Sequence, residues 1–187
     1  NTWCKNVAEY LNLGNNYITL EADGAGFADP ASNHNPSYYG KTWSEILEAF
    51  FTSDENITDV IVCGGANDRD ETSTNILNGI NSFVSICRTL YPNAHIWIGC
   101  IGRSSNISVC DEIMNVSYPN YEKGAIKNGC TFINTLGCWG YTDEFDDNLH
   151  PNESGQINIS LAIANALNYS NYKRFNNGNN HVNLNGE

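Results

Sequence analysis

Positive charge is scarce in this chain of 187 residues: 9 lysines and arginines stand against 21 aspartates and glutamates, for a formal net charge of −12. Such a surface repels a nucleic-acid duplex or an anionic lipid sheet unless basic residues cluster locally, and no stretch gathers them. Nucleic acid is therefore not an expected partner. Long hydrophobic runs are missing too. The longest, "VIVC" and "HIWIGCIG", are strand-sized, far below the roughly 20 residues a spanning helix needs, so no membrane span is expected. No Cys-x-x-Cys pair occurs, which removes the usual spacing of a structural zinc site; no metal and no other cofactor is expected. The seven cysteines are an odd count, and Cys63, Cys100 and Cys130 fall in or beside apolar runs where a thiol behaves as a small apolar group. A disulfide framework is not expected either. No glycine-rich phosphate loop opens a helix, which argues against a flavodoxin-like small-ligand domain. The first residues, "NTWCKN", hold neither a methionine nor a signal-peptide pattern, and a segment upstream is expected to have been removed.

What is present reads as one globular domain over residues 1–170, followed by a polar tail over 171–187. Hydrophobic residues make up 41% of the chain, enough to build a core without staples. Six Asn-x-Ser/Thr sequons occur, at Asn56, Asn106, Asn115, Asn152, Asn158 and Asn168, and in so asparagine-rich a chain they read as chance matches. The spacing of Trp3, Val7, Ala8 and Leu11 predicts a helix, and "NYITLEA" a short strand that closes on the glycines of "DGAGF". "KTWSEILEAFF" reads as a helix with Thr42 and Glu45 at capping-box spacing. "TDVIVCGGAND" is a continuous apolar run closed by glycines, the pattern of a strand buried on both faces. A long helix over "STNILNGINSFVSICRTLYP", a strand at "AHIWIGCIG", a short helix at "YPNYEKGAIKNG", a strand at "CTFINTLG" and a final helix at "SGQINISLAIANALN" follow. The alternation predicts an α/β fold, a three-layer α/β/α sandwich with a mostly parallel sheet. Ligands in such folds sit beyond the carboxyl ends of the strands, where "DGAGF", "GGAND" and "DNLHP" would all lie.

Each of those loops carries a residue type with chemical use. A neutral imidazole removes a proton from a hydroxyl when a carboxylate holds its other N–H, and Asp147 and His150, three residues apart, can do this within one turn. The Asn67 amide can donate to a developing oxyanion, and a glycine such as Gly24 exposes a backbone N–H for the same purpose. Gly26 is the reserve for Gly24, should the loop be registered two residues on. Each feature also has an ordinary reading, as a helix start, a strand end or a tight turn. Asp68 is expected to brace its loop. Phe27, Trp139, Tyr141 and Phe145 are aromatics near the presumed rim that could stack on a sugar ring or serve as local core.

Taken in order, "DGAGF", "GGAND" (Gly-x-Asn-Asp at Gly65 to Asp68) and "DNLHP" (Asp-x-x-His-Pro) resemble three of the sequence blocks of the SGNH hydrolases, also called the GDSL family. The resemblance extends over nearly the whole chain. It implies a flavodoxin-like sandwich, His150 as general base and then acid, Asp147 as its orienting carboxylate, and Gly24 with Asn67 as the oxyanion hole. The family's first block, a Gly-Asp-Ser bearing the nucleophile, is found nowhere in the sequence. Either Asp23 replaces the serine in "LEADGAGF", making a pseudo-hydrolase, or the block lies upstream of residue 1. The helix ahead of "YITLEADGAGF" favours the second. The missing segment would then be upstream chain or a cleaved N-terminal peptide that completes the sheet.

The resemblance thus implies a serine esterase acting on a small-molecule or carbohydrate ester, with short acyl groups, acetyl above all, preferred. The alternative is a non-catalytic carbohydrate-binding or interaction module on the same scaffold. The compartment stays open: the cysteine pattern leans towards a reducing setting, while the acidic, asparagine-rich composition suits an exported bacterial protein.

Overall fold

The computed structural model describes residues 2–20, 22, 24–32, 36–101, 104–136, 146–147 and 149–176, with side chains through residue 168. Helix α1 (Trp3–Tyr10) is followed by α2 (Trp43–Phe50), strand β1 (Asp59–Gly65), a 3-10 turn (Asn67–Asp70) and α3 (Ser73–Leu90). Strand β2 (His95–Ile101) leads to α4 (Ile107–Glu112), which passes through a π turn (Ile113–Ser117) into α5 (Tyr118–Lys127), and β3 (Thr131–Ile133) precedes α6 (Glu153–Asn176). The strands are parallel in the order β1-β2-β3, with Asp59 opposite His95, Gly65 opposite Ile101, and Trp97 opposite Thr131.

Alternation along the strands divides the core in two, because successive side chains leave a strand on opposite faces. Val60, Val62, Ile96, Ile98 and Cys100 pack with Leu47 of α2, with Ile76, Ile80 and Phe83 of α3, and with Tyr121 of α5. Ile61, Trp97 and Ile133 pack with Val7 of α1 and with Ile159, Ile163 and Leu167 of α6. Helices therefore cover both faces, giving the three-layer sandwich expected from the alternation of elements. Cys87 and Cys100 are core residues, and burial pushes both thiols up, Cys87 to about 12, so they stay protonated and apolar. Among the described residues no helix is long and apolar enough to cross a membrane.

Local signals explain several boundaries. Glu45 reaches back to the N–H of Thr42 at 2.7 Å, the second half of a capping box, and that bond holds its carboxyl below the usual range. The Thr72 hydroxyl accepts the N–H of Asn75 at 3.1 Å and starts α3. Asn152 accepts from Gly155 at 3.1 Å and starts α6, which runs to Asn176 and so crosses the 170/171 boundary expected for a polar tail.

One expected strand is not formed. The described part of "NYITLEA" makes no ladder, although its residue types suit a strand. A strand needs a partner for its backbone groups, and β1 begins the order of the sheet with only β2 beside it.

The layers meet most tightly where α3 crosses the chain at Phe27. A Cβ on Gly79 would lie 2.1 Å from the Phe27 carbonyl oxygen and 2.6 Å from its carbon, and both are backbone atoms with little freedom to yield. Alanine should gain about 1 kcal/mol of helix propensity there, and the clash should outweigh it at roughly 1–3 kcal/mol. Gly79→Ala is therefore expected to lower the denaturant midpoint, and a raised midpoint would show that α3 can move off Phe27.

Candidate active site

Asp147 organises a turn around itself. Its Oδ1 accepts the backbone N–H of His150 at 2.8 Å and of Leu149 at 3.2 Å, while Oδ2 meets His150 Nδ1 at 2.6 Å. The backbone N–H of His150, then its ring, then the Leu149 N–H hold the Asp147 carboxyl down to about 2. An ionised carboxylate only accepts, so Nδ1 must carry the proton and Nε2 is left with a lone pair. Both side chains are more than half exposed. The turn closes with the Asp146 N–H on the His150 carbonyl at 3.0 Å, and α6 begins three residues beyond the histidine.

The two other loops meet directly. Asn67 opens the 3-10 turn after β1, and its Nδ2 donates to the Ala25 carbonyl at 3.0 Å. Gly24 has φ of +74°, and a Cβ there would lie 2.6 Å from that of Ser32, so both conformation and space require glycine. The reserve position is spent: the Gly26 N–H donates to the Asp29 carbonyl at 2.7 Å, whereas no described residue accepts from Gly24. Gly26 is needed for a different reason, since its Cβ would fall 2.2 Å from an Asp68 carboxylate oxygen.

Asp68 is wholly buried and accepts four hydrogen bonds, from the N–H groups of Phe27 (2.9 Å), Ala28 (3.0 Å) and Asp29 (2.9 Å) and from the Tyr121 hydroxyl (2.6 Å). It braces the loop, as its position in "GGAND" suggested. Burial, with the Asp68 charge beside it, raises the Tyr121 phenol well above its ordinary value and keeps it a donor. Tyr121 was not singled out by the sequence; its only signal is a tyrosine on the apolar face of "YPNYEKGAIK", where a buried hydroxyl needs a partner.

Phe27 is a correction. It is 1% exposed, with ring centroids 4.8 Å from Trp43, 5.0 Å from Tyr121 and 5.4 Å from Phe83 in edge-on contacts, so no ring face is left for a sugar. The Asp68 clamp on its N–H turns the side chain inward. Trp139, Tyr141, Phe145 and Asp23 lie outside the described residues. Among the described residues no three His, Cys, Asp or Glu side chains form a metal-holding group.

Asn67, bonded to Ala25 beside Gly24, follows the carboxyl end of β1, and β3, which runs parallel to β1 in the same sheet, ends at the same edge. The fold recurs in known structures. A carbohydrate acetylesterase from Sinorhizobium meliloti superposes with a TM-score of 0.65 at 18% identity, over 90% of this chain and 85% of that one. An aryl esterase from M. smegmatis gives 0.68 at 15% identity, over 90% and 85%. The chain has the SGNH hydrolase fold. No protein-family model and no curated protein sequence matches it.

Two outcomes follow for this SGNH-fold rim. The Asp147 carboxyl should titrate near 2 by carbon NMR instead of near its ordinary 3.8. The depressed value means that the stabilisation of the turn is complete above the ordinary carboxylate pKa and fades as pH falls towards 2. A midpoint near 3.8 would mean that the turn is open in solution. Asp68→Asn should cost about 1.5–3 kcal/mol for each charge-assisted bond lost, measured by denaturation. An unchanged midpoint would show that the loop holds itself.

Proposed function

We propose that this chain carries the base and oxyanion side of a serine esterase that hydrolyses carboxylic esters of short acyl groups, acetyl above all, on a carbohydrate or small molecule. The observation that carries the reading is the Asp147–His150 pair, bonded at 2.6 Å with Nε2 left as the proton acceptor, on the rim of a fold shared with esterases. The nucleophile is a serine on a segment N-terminal to residue 1.

His150 Nε2 takes the proton as the serine oxygen attacks the ester carbonyl, and Asp147 steadies the imidazolium that forms. The carbonyl oxygen becomes an oxyanion facing two donors, the Gly24 N–H and Asn67. The Asn67 amide carries two N–H bonds, and the Ala25 carbonyl uses one of them, which also fixes the direction of the other. Collapse of the tetrahedral species breaks the bond to the leaving oxygen, which receives the proton from His150 and departs as alcohol. Water then enters by the same route in reverse and releases the carboxylic acid, restoring serine and neutral His150. An acetyl ester brings no charge to the site, so the excess of acidic groups in the chain does not oppose its approach.

The test is hydrolysis of p-nitrophenyl acetate by the protein with its native upstream segment, with and without a serine-directed fluorophosphonate. Asn67→Ala should lower turnover by roughly 10²–10³, and His150→Ala by about 10⁴ or more. Absence of both turnover and labelling would sink the esterase reading and favour a non-catalytic carbohydrate-binding module.

A further inference from the structure

The two peptide units that lead into Asn67 are each held by a side chain. Ser117 Oγ donates to the Gly65 carbonyl at 2.6 Å, and Arg69 Nη1 donates to the Ala66 carbonyl at 2.6 Å. The Ala66 carbonyl lies in one plane with the Asn67 N–H, so a group that fixes that carbonyl also fixes the backbone from which the Asn67 side chain leaves.

Arg69 is itself fixed. Its Nη2 lies 3.5 Å from Asp70 Oδ2 and its Nε 3.4 Å from Glu112 Oε2. A guanidinium is planar and its donors point in set directions, so three acceptors define how it lies. Ala66 and Asp70 belong to the same stretch of chain as Arg69 and move with it. Glu112 belongs to α4, and it therefore refers the arginine to the rest of the fold.

The π turn makes this possible. In an α-helix of about 3.6 residues per turn, side chains five apart diverge by about 140°, so Glu112 and Ser117 would not face one loop. Here the Tyr118 N–H bonds to the Ile113 carbonyl five residues back, and the widened turn brings positions five apart to one side. Glu112 reaches Arg69 and Ser117 reaches Gly65 from a single segment. Such turns are rare and are frequent at functional sites.

We propose that Arg69, anchored by Glu112 on the π-turn segment, is a positioning residue that sets the direction of the Asn67 amide. Its part in ester hydrolysis rests on the esterase reading; the positioning of the amide does not.

The experiment follows the Asn67 side-chain amide by NMR in the nitrogen-labelled protein and in three variants. The reference is the Asn128 amide, which bonds Asn81 and Gly124 at the far end of α5, so that a general loss of stability speeds both signals alike. Arg69→Gln should speed hydrogen exchange of Asn67 Nδ2 about tenfold relative to Asn128. Glu112→Gln, which keeps the arginine and removes its anchor, should change it in the same direction by less. Arg69→Lys keeps the charge but offers a single ammonium in place of the fork, so it should behave as Arg69→Gln does. An unchanged Asn67 rate in Arg69→Gln, or a normal rate in Arg69→Lys, would overturn the proposal. With p-nitrophenyl acetate, Arg69→Gln should lower kcat roughly tenfold, less than loss of the Asn67 donor itself, and leave KM unchanged, since an oxyanion donor acts in the transition state. Faster Asn67 exchange in a protein that shows no turnover in any form keeps the positioning role and removes the esterase; turnover in the unaltered protein with no effect of Arg69→Gln on Asn67 does the reverse.

Discussion

One buried carboxylate holds the rim of this protein together. Asp68 takes hydrogen bonds from three consecutive backbone N–H groups of the 27–29 segment and from Tyr121 of α5, so the loop after β1, the glycine loop and the helix behind them are tied through one side chain. A buried charge is tolerable only when its acceptor sites are filled, and here four donors fill them. The consequences spread outward. Gly26 must lack a Cβ because Asp68 occupies that space, and Phe27 must turn into the core because its N–H is held. Gly79 must lack one too, because Phe27 then lies against α3. Asn67, the residue before the clamp, gains a fixed neighbour in Ala25.

The far side of the rim has a separate origin. The π turn ahead of α5 brings Ser117 to the end of β1, where its hydroxyl donates to the Gly65 carbonyl at 2.6 Å. α5 therefore reaches Tyr121 at the right height to meet Asp68. β3 then carries the chain back to the same rim and on towards the Asp147 turn. Parallel strands make this convergence automatic, since every loop that leaves a carboxyl end arrives at one edge.

The parts legible in the sequence were those fixed by local chemistry. Thr42 and Glu45 lie three apart and found each other, and Asp147 and His150 did the same. The helical faces of α1 and α3 followed their apolar spacing, because those faces had a sheet to meet. The reading of residues 16–22 as a strand rested on residue type, and a ladder depends on a neighbour that residue type does not supply. Between a rim aromatic and local core Phe27 could not be assigned from the sequence, which does not show that Asp68, 41 residues away, holds its N–H; the structure places it in the core. That the Gly26 N–H is already taken likewise depended on a bond, to Asp29, between residues whose spacing permits several turns.

The two polar contacts of the rim thus differ in what they need from the fold. The Asp147–His150 contact spans three residues and needs only its own turn, which the carboxylate nucleates by itself. The Asn67–Ala25 contact spans 42 residues and needs β1, the Asp68 clamp and α5 in place, so its formation is coupled to the first core. The Asp147 turn can therefore be well formed in a molecule whose first core is not yet in place, whereas the Asn67–Ala25 bond cannot.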